Sequence, residues 1–220
     1  MGTLPRSFYL RPTLVVAAEL LGKVLVHSTD DGVTAGVIVE AEAYIGEEDP
    51  ACHAAAGPTP RNQPLYGPPG FAYVYFNYGV HYLTNAVTEA EGSPAAVLLR
   101  ALDPIDGLEL MAVRRAAFDR RRSNAAGTAP RSLPGARHDL CRGPGNLSRA
   151  MGITLRQNRA DLCASSLRIE DRGLDAGTVA WSTRIGISVG TERRWRCFIA
   201  GHPAVSGPRA PVFRYVPAGP

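Results

Sequence analysis

The sequence predicts one mixed α/β domain, of the α+β kind, on three observations. Its 220 residues, 45% of them hydrophobic, suffice for one core or at most two small ones. Several short stretches alternate apolar and polar residues with the period of two that marks a strand. Helical spacing or a helix-start signal appears in only three places, with no internal repeat and no linker between them. No apolar run approaches the ~20 residues a membrane span needs, and residues 1–11 lack an apolar leader core, so a cytoplasmic protein is expected.

The elements follow in order. Leu14, Ala17, Ala18 and Leu21 recur at helical spacing within 12–22, with Gly22 as the stop. Lys23–His27 reads as a strand, and Thr29-Asp30-Asp31-Gly32 as the hairpin turn into a second strand over Val37–Tyr44. Gly46–Pro69, rich in Gly, Pro and Ala, reads as a long irregular loop, a feature that is usually functional inside a domain. Phe71–Val87 is a hairpin turning at Asn77–Gly79, followed by a strand over Ala95–Leu102. Pro104 is placed at a helix start, with Ile105, Leu108, Met111 and Ala112 carrying an amphipathic helix to about Phe118. The Arg-rich run Arg114–Arg137 reads as loop, and Gly143–Met151 as a short helix whose N-terminal amides suit a phosphate or a plain turn. Strands near Leu167–Glu170, Val179–Ile187 and Trp195–Ala200 complete the chain, with 1–10 and 206–220 expected as tails.

Charge is unevenly spread. Residues 1–99 hold 4 basic and 10 acidic residues, a balance of −6; residues 100–220 hold 20 Arg against 10 acidic residues, a balance of +10. A basic second half suits phosphate attraction. Genome composition accounts for Arg over Lys, but not for this asymmetry. The four cysteines are scattered and suggest neither a disulfide framework nor paired metal ligands. Cys52 beside His53 has no second pair to complete a zinc site, and the H-x-E…P-C-x-x-C pattern of zinc nucleobase deaminases is absent, so no metal and no cofactor is expected.

Two local patterns carry chemistry. Over Val37–Tyr44, Glu40, Glu42 and Tyr44 share one face of the strand, with the two carboxylates about 6.5–7 Å apart. Spacing alone favours two solvated surface charges; a pocket would raise at least one of their pKa values and suit acid–base work. In FAYVYFNYG, Tyr73 and Tyr75 share a face and Tyr78 sits at a tight turn. An aromatic there is either exposed or packed on a partner, or is a wedge that enters between stacked bases.

Taken in order, EAEAY (Glu40–Tyr44), His53, TPRN (Thr59–Asn62), the PG-x2-YVY-x2-YG run, Asn85, VLLRAL (Val97–Leu102) and CRGPGNL (Cys141–Leu147) resemble the alkyladenine (3-methyladenine) DNA glycosylases. The resemblance spans roughly residues 10–205. It implies a curved, largely antiparallel sheet with a protruding β-hairpin, surrounded by helices and long loops. It also implies a base-excision-repair enzyme that flips damaged purines (3-methyladenine, 7-methylguanine, hypoxanthine, ethenoadenine) out of double-stranded DNA. The N-glycosidic bond then breaks through an oxocarbenium-like sugar.

By that resemblance Glu42 is the general base, Arg100 helps hold its water, and the Ile185 carbonyl is a further water ligand. Tyr44, Tyr75 and His53 stack on the flipped base, and Asn85 discourages guanine by clashing with its 2-amino group. Tyr78 intercalates, while Thr59, Arg61, Leu65, Val80 and His81 lie where the family touches the duplex. Glu40 takes a supporting role. The 54–58 loop is one residue shorter than in the animal enzymes, with Gly57-Pro58 in place of an arginine, and Val80 and His81 replace Met and Tyr. The only lysine, Lys23, leaves little for Schiff-base chemistry, so a monofunctional enzyme is expected, and a monomer fits a protein that tracks along duplexes. Two other readings use the same residues: an inactive binding domain for damaged or bent DNA, and a carbohydrate glycosidase working with Glu40 and Glu42.

Overall fold

A computed structural model describes residues 2–126 and 135–207. In chain order the elements are β1 (Gly2–Thr3), α1 (Arg6–Tyr9), α2 (Thr13–Leu20), β2 (Val24–Thr29), β3 (Gly32–Ile45), β4 (Ala72–Asn77), β5 (His81–Val87), β6 (Ala95–Asp106), α3 (Leu108–Ala126), α4 (Pro144–Met151), β7 (Leu167–Asp171), β8 (Val179–Ser182) and β9 (Arg196–Ile199). Strands pair antiparallel throughout, in the order β1-β7-β2-β3-β6-β5-β4, with β9 joining β3 and carrying β8. The expected single mixed domain with a curled antiparallel sheet is what forms. No described helix is long and apolar enough to cross a membrane.

β3 organises the sheet because it is long enough to serve three partners. Its first half pairs with β2 through the 29–32 turn; beyond the end of β2, residues 40–42 pair with β9 on that edge, while β6 follows the other edge. The β3–β6 register shifts near Gly36 and again between Ile38 and Ala41, and the second break shapes the site. Ile38 opposes Leu102, Glu40 opposes Ala101 and Ala41 opposes Leu99, which leaves Val39 on one strand and Arg100 on the other without a direct partner. Bulges of this kind re-aim side chains, and two on opposite strands restore the register beyond them. The strict alternation expected over Val37–Tyr44 therefore fails at Val39. Ile38, Ala41 and Ala43 all face the main core, while Glu40 and Glu42 face the other way.

That core lies between the sheet and the helices. Val16 and Leu20 of α2, Met111 of α3, and Leu147 and Met151 of α4 pack on Ile38, Leu99 and Leu102. Complete burial of these side chains is worth about 1.5–3 kcal/mol each.

Four expectations need correction. Residues 2–10 are no tail: Leu4 and Tyr9 are buried in the core, and β1 pairs with β7. Pro104 sits in β6 opposite Gly36, where the register shifts and a missing N–H is tolerated, so α3 begins only at Leu108. The run from Arg114 continues α3 to Ala126 because Arg and Ala are good helix formers; 127–134 lie outside the described residues. Of the expected C-terminal tail, Ser206 is buried against β3, while 208–220 lie outside the described residues.

Candidate active site

Glu40 and Glu42 are both completely buried, so the solvated-face reading of this strand is overturned. Arg100, re-aimed by its bulge, joins them: Nε donates to Glu40 Oε1 at 2.8 Å and one Nη donates to Glu42 Oε2 at 3.1 Å. Their surroundings then diverge. Glu40 also accepts from Arg196 Nε (2.7 Å), the Ser206 amide (2.7 Å) and the Ser206 hydroxyl (3.0 Å). Glu42 accepts from the Ile185 amide (2.7 Å) and the Tyr44 hydroxyl (3.0 Å). Burial pushes both carboxyls upward. At Glu40 the two guanidiniums outweigh it and hold the group below the usual carboxylate range. At Glu42 burial prevails over Arg100, the Ile185 amide and the Tyr44 hydroxyl, and the pKa is raised. Environments that separate two neighbouring carboxyls in this way commonly mark acid–base sites.

A cavity of about 650 Å³ opens in front of this pair, with Tyr44, Arg100 and Ile185 in its wall. Glu42 stands directly behind those three residues. The opposite wall comes from β4, β5 and the 50–65 loop. His53 and Tyr75 meet edge-on with centroids 4.4 Å apart, and Tyr73 lies 5.2 Å from Tyr75. His53 Nδ1 lies 2.8 Å from the Tyr73 hydroxyl. Burial, and then Arg61, lower the pKa of His53, so the ring is neutral at pH 7. A neutral aromatic wall facing a carboxylate suits a flat, electron-poor ring. Asn85 lines the floor and its amide donates to the Tyr73 carbonyl at 2.9 Å.

The loop before β4 is less irregular than expected. Two 3-10 turns, His53–Ala56 and Gln63–Tyr66, are tied together by the buried Asn62, whose amide donates to the carbonyls of His53 and Gly57. The Thr59 amide donates to Asn62 Oδ1 at 2.6 Å, and Arg61 donates to the Phe76 carbonyl of the hairpin at 3.2 Å; both residues are exposed. Leu65 does not reach the surface. It is 2% exposed and packs with Cys52 and Tyr73, because apolar area in this loop is drawn into a second small core.

At the hairpin tip Tyr78 and Gly79 both have positive φ (49° and 65°), as a type I′ turn requires, and Val80 closes it to the Asn77 carbonyl. Holding tyrosine in the left-handed region costs about 1–2 kcal/mol. The turn leaves Tyr78 82% exposed. Val80 and His81 are half-buried: Arg149 of α4 donates to the Val80 carbonyl and lies 2.6 Å from His81 Nδ1. The His81 ring covers Gly145 so closely that a Cβ there would collide with it.

Sequence reasoning missed four residues that hold the site. Arg184 and Asp49 form a fully buried ion pair. The Arg184 guanidinium lies 4.6 Å from the Tyr44 ring centre and also donates to the Ala43 carbonyl, fixing Tyr44 from behind. Arg196 and Ser206 enclose Glu40. Nothing local distinguished these arginines from the others of the basic half, since their carboxylate partners lie 135 and 156 residues away.

A sequence model of the family described as methylpurine-DNA glycosylase (MPG) matches residues 7–203. Among similar proteins, one from Methanocella arvoryzae is 46% identical over 217 residues, and one from Chlorobium phaeobacteroides is 45% identical over 212. Both alignments cover 96% of this chain and 98% of the relative. A third, from Prosthecochloris aestuarii, is 43% identical over 208 residues, covering 94% of this chain and 92% of its own. All three carry the name "Putative 3-methyladenine DNA glycosylase".

Proposed function

The chain belongs to the methylpurine-DNA glycosylase family, and from that premise we propose that it flips damaged purines out of duplex DNA and hydrolyses their N-glycosidic bond with a water activated by Glu42. The substrates are 3-methyladenine, 7-methylguanine, hypoxanthine and ethenoadenine, and the product is an abasic site. The observation that carries the reading is Glu42 itself: a buried carboxyl with a raised pKa, one residue behind the wall of an aromatic cavity.

Glu42 has no exposed surface, because Tyr44, Arg100 and Ile185 cover it. The weakest bond in that cover is the 3.4 Å contact from Arg100 Nη to the Ile185 carbonyl. A water placed there would meet Glu42 Oε2, the guanidinium and the carbonyl, the two to four polar partners that an ordered water needs. Ionised Glu42 takes the water proton as its oxygen bonds to C1′, and the base departs with the electron pair of the C1′–N bond. The carboxylate also faces the positive charge that develops on the sugar. Tyr44, Tyr75 and His53 stack on the flipped base, each worth about 1–3 kcal/mol, and Asn85 faces a guanine 2-amino group.

Tyr78 fills the gap in the duplex, with Thr59, Arg61, Val80 and His81 around it. Alkylated bases that already carry positive charge leave easily and need only Glu42; hypoxanthine and ethenoadenine need a proton first. Lys23 is paired with Asp171 at 2.6 Å and does not line the cavity, which supports a monofunctional enzyme. A borohydride-stable adduct with DNA would overturn that.

The test is single-turnover base release from duplexes carrying one hypoxanthine, ethenoadenine or methylated purine, with Glu42→Gln beside the wild type. Release lost in the variant while duplex binding persists supports the reading. Binding without release by either protein would leave a binding domain instead.

A further inference from the structure

We infer that Glu40, clamped by Arg196 and Ser206, is the residue that positions Arg100, fixing the plane of its guanidinium so that one Nη faces Glu42 and the Ile185 carbonyl. The inference rests on the reading of Glu42 as the base and adds a second layer behind it.

The geometry is that of a clamp. Arg100 sits at a bulge, so no ladder partner fixes its side chain from across the strand. Its direction is set instead at three points. Nε donates to Glu40, one Nη donates to the Ser206 hydroxyl (3.3 Å), and the other Nη is left for Glu42. Glu40 can hold Nε rigidly because it is itself fixed by Arg196 and by both donors of Ser206. Arg196 is 1% exposed, and it also donates to the Ser182 hydroxyl and the Ser206 carbonyl at 2.8 Å each. β3, β6, β9 and the 206 segment thus meet on one carboxylate.

Such a clamp does more than fill space. A guanidinium is planar, so fixing Nε and one Nη fixes the direction of the remaining Nη. A misplacement of about 1 Å at a catalytic group can cost on the order of 100-fold in rate. The clamp also shares the charge of Arg100 between two carboxylates. Without Glu40, Glu42 is the only carboxylate left beside Arg100, and the two would close on each other across the water position. Glu40 is also a like charge acting on Glu42.

Glu40→Gln tests this, with Glu40→Gln/Arg196→Met as a second variant that removes the cation left unpaired in the interior. Single-turnover release is measured against pH at saturating duplex, below the melting temperature of each protein, together with duplex affinity. The expected result is a plateau rate reduced by about 10- to 100-fold with unchanged affinity, and an acid limb moved to lower pH. A folded variant whose plateau and acid limb both match the wild type would overturn the inference and leave Glu40 a purely structural ion pair. If Glu42→Gln kept its activity while Glu40→Gln lost it, the base itself would be misassigned and both readings would fall. If Glu42→Gln is dead and Glu40→Gln is unaffected, only the positioning role is lost.

Discussion

Glu40 and Glu42 lie two residues apart on the same strand, equally buried and bonded to the same arginine, yet they are stabilised to opposite effect. Glu40 receives four hydrogen bonds and two guanidiniums, so its charged form is held firmly in the interior. Glu42 receives three hydrogen bonds and one shared guanidinium, and its charged form remains under-compensated. The difference arises from what lies outward of each. Behind Glu40 the sheet closes onto β9 and Ser206; in front of Glu42 it opens onto a cavity. Burial by itself therefore does not make a reactive carboxyl; burial with one donor too few does.

The largest effect that could break this contrast is at Glu42. Glu42→Gln is expected to lower single-turnover release by about 10²- to 10⁴-fold, the range of general-base catalysis, without loss of stability. The sign follows from linkage. A carboxyl whose folded pKa is raised binds its proton more tightly in the folded state, so this group weakens the fold as pH rises from the unfolded value through the raised one, and the penalty persists above that window. The glutamine variant should accordingly melt at or above the wild-type Tm at pH 8. A clear drop in Tm would mean that Glu42 is structural in the way Glu40 is.

Stability should respond at the other carboxylate. Arg196→Met takes one of two cations from Glu40, removes the donor of the Ser206 carbonyl and leaves the Ser182 hydroxyl with only its bond to the Thr183 carbonyl. Breaking a buried pair from one side costs roughly 3–5 kcal/mol, readable by urea unfolding at pH 7. Because the Glu40 pKa is lowered, its contribution is present above the ordinary carboxylate range and is lost as pH falls through the folded value. The gap between variant and wild type should narrow in acid. A gap that does not change with pH would show that packing, and not the charge of Glu40, carries the effect.

The two carboxylates were unequally legible in the sequence. Family resemblance set Glu42, Arg100, Tyr44, His53, Tyr75, Asn85 and Tyr78 apart, and the structure brings all but Tyr78 around one cavity or just behind its wall. Tyr78 stands at its rim, on a turn that Asn77 and Gly79 had marked. Most strands were readable from alternation. The second layer was not. The bulge at Val39 leaves no local signal, because the alternation on either side of it looks continuous. Arg184, Arg196 and Ser206 act over long sequence separations, where no periodicity reaches. The Arg-rich second half of α3, from Arg114, reads as loop in the sequence because charge density masks its helix-forming residues. Pro104, read as a helix start, marks instead a register shift late in β6.

The finest test of the contrast is Tyr44→Phe. The ring and its guanidinium support from Arg184 remain, so stacking and position are kept. Only the 3.0 Å hydroxyl bond to Glu42 is removed. That bond favours the charged carboxylate, so without it the pKa of Glu42 should rise further and the acid limb should move to higher pH. Release below the limb should fall by about two- to tenfold, the value of one ordinary hydrogen bond, with a smaller change on the plateau. The direction is the informative part: Glu40→Gln is expected to move the same limb to lower pH, Tyr44→Phe to move it higher. Opposite shifts from two neighbours of one carboxyl identify that carboxyl as the titrating base. Shifts of the same sign, or none, would assign the limb to another group and return Glu42 to the structural role of Glu40.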